Sequence, residues 1–143
     1  MSSVDALSML ANAGAVPVVQ LPSPEAALPL CEALLAGGLS LVEVTFRSPG
    51  APEAVAAIHE RIPEMCVGAG TVTDPEQVRQ AAAVGARFAV APGLSPLVVQ
   101  TARAADLEVW PAVCPPARLV QPPGLGPPAP LAFSAVAPGR RAP

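Results

Sequence analysis

Short apolar segments recur along the chain, and stretches with helical character separate them. The segments are residues 16–21, 39–46, 66–72, 88–91 and 107–112. Their spacing of about 20 to 25 residues is typical of repeated βα units, in which a short strand alternates with a longer amphipathic helix. Consecutive βα units place their strands in parallel, so the pattern predicts a parallel sheet covered by helices.

Proline, glycine and capping residues mark the predicted helix boundaries. Helix starts with an N-cap or glycine near a proline are predicted at Ser23-Pro24, Gly50-Ala51-Pro52, Asp74-Pro75 and Ser95-Pro96. Glycines that cannot continue a helix follow at Gly37-Gly38 and at Gly85. Pro29 lies inside the first of these helices and predicts a kink there, because proline removes a backbone donor.

The segment Leu-Val-Glu-Val-Thr-Phe-Arg at 41 to 47 is the most informative predicted strand. Side chains on a strand alternate between two faces, so positions 42, 44 and 46 form an apolar face, and Glu43, Thr45 and Arg47 line the other. On a half-exposed antiparallel strand these three polar groups would simply face water.

Two architectures accommodate such a strand in a parallel sheet. In an open doubly wound sheet, helices bury both faces, and an acid and an arginine would lie beneath an apolar layer. In a closed (β/α)8 barrel the polar face points into the lumen, where the carboxyl ends of the strands build the active site. The sequence therefore favours a (β/α)8 barrel, incomplete because about five βα units are recognisable.

Composition and charge narrow the class of protein. The chain has 143 residues, 52% of them hydrophobic and 13% charged, with a net charge of -3, which predicts one globular domain without the basic patch of a nucleic-acid-binding protein. Neither a membrane-spanning run nor a secretory signal is predicted. Cys31, Cys66 and Cys114 are far apart and not at metal-ligand spacing, so we expect reduced thiols, a cytoplasmic location and no metal site.

Three ordered motifs resemble one enzyme family. The segment at 41 to 47, Val-Gly-Ala-Gly-Thr-Val at 67 to 72 and Ala-Val-Ala-Pro-Gly-Leu at 89 to 94 are similar to successive strands of the 2-keto-3-deoxy-6-phosphogluconate aldolase family, which includes 4-hydroxy-2-oxoglutarate aldolases. The resemblance covers about residues 5–113. It implies a (β/α)8 barrel, usually a homotrimer, that binds a small keto acid and cleaves it to pyruvate and an aldehyde through a lysine imine, with no cofactor.

The resemblance also implies roles for three residues. Glu43 would transfer protons, Arg47 would hold the pyruvyl carboxylate, and Thr71 would donate a hydrogen bond beside it. The residue types suit this chemistry, because a carboxyl in an apolar lumen can exchange protons and a guanidinium fork matches a carboxylate. The alternatives are that Glu43 and Arg47 form a structural ion pair, and that Thr71 only caps a strand end. His59 is expected on the helix surface.

The family's imine-forming residue has no counterpart in these 143 residues. All eight basic residues are arginines, and arginine cannot serve as the nucleophilic amine. The expected function is therefore an aldolase-type lyase whose activity is lost in this chain. The alternative is a non-catalytic homologue that binds pyruvate or associates with complete aldolase subunits.

The pattern of βα units stops near Cys114. Residues 1–113 form the predicted aldolase domain, and residues 114–143 a segment rich in proline and glycine that is predicted to be disordered. One hypothesis is that this segment is translated out of frame, since a one-nucleotide shift would allow a family-like sequence. A homologue with an unrelated tail is the competing hypothesis.

Overall fold

The computed structural model describes residues 3–111, which contain five helices, one 3₁₀ turn and five strands. In chain order these are α1 (Ser3–Ala13), β1 (Val18–Val19), the 3₁₀ turn Pro24–Ala26, α2 (Ala27–Ala36), β2 (Leu41–Thr45), α3 (Ala51–Arg61), β3 (Cys66–Gly70), α4 (Pro75–Ala83), β4 (Phe88–Ala91), α5 (Pro96–Ala104) and β5 (Glu108–Pro111). Cys114 and the predicted tail at 114–143 lie outside the described residues.

The five strands form one sheet in the order β1-β2-β3-β4-β5, and every neighbouring pair is parallel. A doubly wound sheet reverses its strand order at a switch point, whereas successive units of a (β/α)8 barrel are added in one direction. The observed order has no reversal. The fold is therefore α/β with the architecture of an incomplete barrel, as the sequence predicts.

The two faces of the sheet are covered differently. On the outer face, the side chains of Val42, Val44 and their counterparts on β3 to β5 pack against α2, α3, α4 and α5 in the larger apolar core. On the inner face, Leu41, Phe88 and Trp110 form a smaller core that packs against Ala6 of α1. Helices therefore cover one face along its length, which also excludes the doubly wound alternative.

The predicted helix boundaries agree well with the structure. Asp74 accepts hydrogen bonds from the backbone N–H groups of Glu76 and Gln77, and Ser95 accepts one from Val98, so both N-caps are confirmed. Ser23 occupies an N-cap position but its side chain makes no capping bond. Gly38 and Gly85 have φ of 85° and 86°, which is the left-handed conformation expected after a helix.

Three local predictions differ from the structure. β2 ends at Thr45, and Arg47 lies in the following turn rather than on the strand. Pro29 lies in the first turn of α2, after the 3₁₀ turn Pro24–Ala26, rather than at a kink within one continuous helix. This fits the missing Pro29 N–H, which cannot bond the carbonyl four residues earlier. Helix α1 is absent from our prediction, although Ala6, Met9, Leu10 and Ala13 have helical spacing.

Candidate functional site

Glu43 lies at the centre of β2 on the inner face, and its side chain is only 1% exposed. Its Cα is in register with Val18 of β1 on one side and with Gly68 of β3 on the other. The carboxyl oxygen Oε2 is buried and has no hydrogen-bond partner within residues 3–111. A buried carboxyl without a partner is costly to ionise, so this side chain needs a functional or structural reason.

Burial changes the acid–base behaviour of this carboxyl. Desolvation raises the pKa of Glu43 from 4.5 to about 7, because the apolar surroundings disfavour the charged form. A carboxyl with a pKa near 7 is populated in both protonation states at neutral pH. Glu43 can therefore accept a proton from a bound molecule and return it, which a surface glutamate with an ordinary pKa does less effectively.

Three more buried polar atoms share the inner face with Glu43. They are Thr45 Oγ1, Glu108 Oε2 and Trp110 Nε1, and none has a hydrogen-bond partner in the described part of the chain. The parallel register places Glu108 in the same row as Glu43, three strands further along. Glu108 and Trp110 have no role in the prediction from sequence, although their alternation with Val109 on the last predicted strand is a signal for a shared face.

Arg47 follows β2 at the carboxyl end of the strand, and its side chain is exposed. Its guanidinium makes no salt bridge or hydrogen bond with any residue that the structure describes. The alternative of a structural ion pair between Glu43 and Arg47 is therefore not what the structure contains. Arg47 keeps all five donors available for an anionic group.

Thr71 directly follows β3 and has φ of 57°, in the left-handed region. This conformation is unfavourable for a β-branched residue, and such strain of about 1 to 3 kcal/mol is concentrated at functional sites. Neighbouring backbone bonds hold the position: Phe46 N–H donates to the Gly70 carbonyl at 2.8 Å, and Val72 N–H donates to the Val90 carbonyl at 3.0 Å. Thr71 therefore lies where β2, β3 and β4 converge.

The fold thus brings the three sequence-predicted residues to one end of two neighbouring strands. Arg47 and Thr71 follow the carboxyl ends of β2 and β3. Glu43 lies on the inner face, one side-chain row before Thr45, the last residue of β2. This is the end at which barrel enzymes place their active sites. The arrangement combines an anion-binding group with a buried proton-transfer group, which suits a small carboxylate whose reacting carbon lies near the acid.

His59 is exposed on α3, as expected, and lies on the outer side of the sheet against Gly85. It is therefore remote from the inner face. Across residues 3–111, no cluster of three or more His, Cys, Asp or Glu side chains could hold a metal ion. In that same part of the chain, no helix is long and apolar enough to cross a membrane.

Comparison with known proteins gives a family match over most of the chain. The model of the family described as KDPG and KHG aldolase matches residues 7–136, and so continues past residue 113, where we place the end of the motif resemblance. KDPG stands for 2-keto-3-deoxy-6-phosphogluconate, and KHG stands for 2-keto-4-hydroxyglutarate, which is the same compound as 4-hydroxy-2-oxoglutarate.

Individual relatives agree with this match. The KHG/KDPG aldolase of Escherichia coli K12 is 38% identical over 106 residues, which are 74% of this chain and 50% of that protein. The 2-dehydro-3-deoxy-phosphogluconate aldolase of Treponema pallidum is 50% identical over 84 residues, which are 59% of this chain and 40% of that protein. The chain therefore spans about half the length of the curated relatives that it matches.

Solved structures share the fold. The KDPG aldolase of Legionella pneumophila, with pyruvate captured at low pH as a covalent carbinolamine intermediate, superposes with a TM-score of 0.69 at 38% identity. The superposition covers 73% of this chain and 50% of that one. The dihydropteroate synthase of Yersinia pestis, at 15% identity and a TM-score of 0.59, is similar in fold alone.

Proposed function

Because this chain belongs to the KDPG and KHG aldolase family, we propose that its described residues carry the proton-transfer and carboxylate-binding half of an aldolase site. The reaction would be the cleavage of 2-keto-3-deoxy-6-phosphogluconate or 4-hydroxy-2-oxoglutarate to pyruvate and an aldehyde. In this proposal Glu43 exchanges protons with the substrate, Arg47 holds the pyruvyl carboxylate, and Thr71 donates a hydrogen bond to the same group.

The state of the Glu43 carboxyl is the observation that carries the proposal. It is fully buried, Oε2 has no partner among residues 3–111, and its pKa is raised to about 7. Aldol cleavage requires one group to take the proton of the 4-hydroxyl and later to protonate the enamine carbon. A carboxyl suits both steps when it changes protonation state near neutral pH and another side chain does not bond its free oxygen.

Arg47 and Thr71 support a carboxylate site at the mouth of the inner face. The exposed guanidinium offers a planar pair of donors, which matches the two oxygens of a carboxylate. Thr71 has a left-handed φ of 57°, which is strained for a β-branched residue, and ligand binding would be a reason for the strain. Pyruvate is also the compound captured in the Legionella aldolase.

The electron sink of the reaction is the part that these 143 residues do not supply. A lysine imine withdraws electrons from the breaking bond, and the sequence contains no lysine. We therefore propose that this 143-residue chain does not catalyse the cleavage by itself. The second candidate function is a non-catalytic homologue that binds pyruvate or associates with complete subunits, in the family's usual trimer, and the missing amine favours it.

Chemical rescue tests the proton-transfer role on the chain as it exists. Methylamine forms an imine with pyruvate in solution, and removal of a methyl proton by a carboxylate then gives the enamine. We expect the chain to accelerate exchange of the pyruvate methyl protons into D₂O when methylamine is present, measured by proton NMR. Glu43→Gln should abolish the acceleration, and Glu60→Gln, a change at an exposed residue of α3, should preserve it.

Two outcomes separate the candidate functions. Acceleration that depends on Glu43 supports the half-site, whereas binding of pyruvate without any acceleration supports the non-catalytic homologue. Equal exchange rates for the unmodified chain and Glu43→Gln, with acceleration in both, would remove Glu43 from the mechanism. Borohydride added without methylamine should leave no pyruvate-derived mass on a lysine, because there is none.

We also propose that the protein acts in the cytoplasm. Cys31 and Cys66 are buried, and burial raises the pKa of the Cys31 thiol to about 11, which suits a thiol that stays reduced and unreactive. Fractionation of cells that express the tagged chain, with enzymes of known compartments as markers, would test the location.

A further inference from the structure

Two glycines of β3 lie on the inner face beneath side chains from the neighbouring strands. Gly68 is in register with Glu43 and with Phe88, and Gly70 is in register with Thr45. The ring of Phe88, from β4, lies over Gly68, and the carboxyl of Glu43, from β2, lies over Gly70. The strand therefore has two adjacent recesses, one filled by an aromatic ring and the other by the acid.

Neither recess has room for a larger residue. A Cβ atom at Gly68 would lie 2.5 Å from Phe88 Cδ2, and a Cβ atom at Gly70 would lie 2.7 Å from both Cδ and Cγ of Glu43. Separations below about 3 Å are repulsive, since carbon atoms have their optimal contact near 3.5 to 4.0 Å. An alanine at Gly70 would therefore force the carboxyl of Glu43 out of its position, whereas an alanine at Gly68 would act on Phe88.

We propose that Gly70 is a positioning residue for the Glu43 carboxyl, which lies in the recess that the absent side chain leaves over the β3 backbone. Within residues 3–111 no hydrogen bond fixes Oε2, so the shape of the recess is what holds the group. Thr71 directly follows Gly70 in the chain, so the recess lies next to the strained residue at the end of β3. The importance of Gly70 for proton transfer rests on the proposed function, whereas the placement of the Glu43 carboxyl over Gly70 does not.

The surroundings determine where a displaced carboxyl would move. Phe88 lies in the same side-chain row as Glu43, and Trp110 lies one row nearer the carboxyl ends, in the row of Gly70. On the other side of Glu43, its neighbour in register on β1 is Val18, which is 46% exposed. A carboxyl displaced from Gly70 therefore moves towards β1 and solvent, where better hydration lowers its pKa.

Few other titratable groups face Glu43 from the described elements. On the inner face, β3 contributes Cys66 and β5 contributes Glu108, whereas β1 and β4 contribute the apolar residues Val18, Phe88 and Val90. The turn after β2 contributes Arg47. Glu108 is three strands away in the same row, so its ionisation must be followed together with that of Glu43.

The test compares Gly70→Ala with Gly68→Ala in the full 143-residue chain. Glutamate labelled with ¹³C at the carboxyl carbon is titrated by NMR, and the Glu43 signal is assigned by its loss in Glu43→Gln. We expect the pKa of Glu43 to fall by about one unit or more in Gly70→Ala, the size of a substantial change in hydration. In Gly68→Ala it should stay at the value of the unmodified chain. An unchanged pKa in Gly70→Ala, or an equal fall in both variants, overturns the proposal.

A rescue experiment covers the case in which Gly70→Ala does not fold. Adding Glu43→Ala removes the group that the new methyl would displace, so the double variant should recover folding or melt at least about 5 °C higher than Gly70→Ala alone. Adding Glu43→Ala to Gly68→Ala should bring no such recovery. Failure of the double variant to recover, while Glu43→Ala alone folds, overturns the proposal. Neither measurement uses substrate, so the recess and the proposed enzymatic role can fail independently.

Discussion

The ring of Phe88 stacks on that of Trp110, with centroids 4.2 Å apart and an angle of 16° between the planes. Phe88 also covers Gly68, so the two rings form a continuous apolar layer across β3, β4 and β5 on the inner face. Phe88 lies in the side-chain row of Glu43 and Trp110 one row nearer the carboxyl ends, so the layer is part of the apolar lining of the face that carries the Glu43 carboxyl. Burial on this face raises the pKa of Glu43.

Stability should depend on pH through Glu43. Its pKa is about 7 in the folded chain and near 4.5 when unfolded, so the folded state retains a proton that the unfolded state has lost between these values. The stabilisation from protonated Glu43 is complete below pH 4.5 and is lost as pH rises through about 7, a change on the order of 3 kcal/mol. Urea unfolding between pH 4 and 8, followed through Trp110 fluorescence, measures it.

Glu43→Gln is the control for this pH dependence. Glutamine is similar in size and does not ionise, so the difference in unfolding free energy between the unmodified chain and the variant isolates the contribution of Glu43. A difference that is constant from pH 4 to 8 would mean that the carboxyl is not perturbed by burial.

Arg47→Ala should weaken pyruvate binding without destabilising the fold. The guanidinium is exposed and makes no bond within residues 3–111, so its loss should change the unfolding free energy by less than about 0.5 kcal/mol. A charge-assisted contact to the carboxylate is worth about 2 to 3 kcal/mol, so affinity should fall at least tenfold. Saturation-transfer NMR with pyruvate measures the affinity, and Arg61→Ala, at the far end of α3, is the matched control. Equal affinity in both variants would contradict the role of Arg47.

Thr71→Gly should separate stability from binding. Glycine adopts positive φ without steric cost, so relief of the strain at φ of 57° should stabilise the chain by about 1 kcal/mol after the entropy of glycine is counted. Loss of the hydroxyl should weaken pyruvate binding. Asp106→Gly is the control, because Asp106 has φ of 52° in the turn before β5, at the opposite end of the strands. Its replacement should leave pyruvate affinity unchanged, and reduced stability of Thr71→Gly would exclude strain at that position.

The origin of the segment after Cys114 can be decided at the level of DNA. Sequencing the gene around codons 110 to 120 tests the out-of-frame hypothesis. If that hypothesis holds, a corrected frame encodes a lysine on a following strand, and borohydride then traps pyruvate on it. A confirmed frame without such a lysine leaves the competing hypothesis of a homologue with a new tail. The family match reaches residue 136 and so includes part of this segment.

Much of the architecture could be predicted from local signals in the sequence. Apolar runs indicate the positions of the five strands. Asp74 and Ser95 are recognisable as N-caps because their side chains accept hydrogen bonds from backbone groups two or three residues away. Strand alternation was sufficient to place Glu43 on the face opposite Val42 and Val44. These features depend on neighbours close in the chain, which a sequence displays directly.

Other features depend on contacts between segments that are distant in the chain. Only the fold shows that β2 ends at Thr45 and leaves Arg47 exposed in a turn, and that α1 closes the inner face beneath Phe88 and Trp110. The sequence determined that an acid would lie on the polar face of β2. The tertiary structure decided that this acid is buried over Gly70 and has a raised pKa, because desolvation and steric room are set by residues from β3, β4, β5 and α1 together.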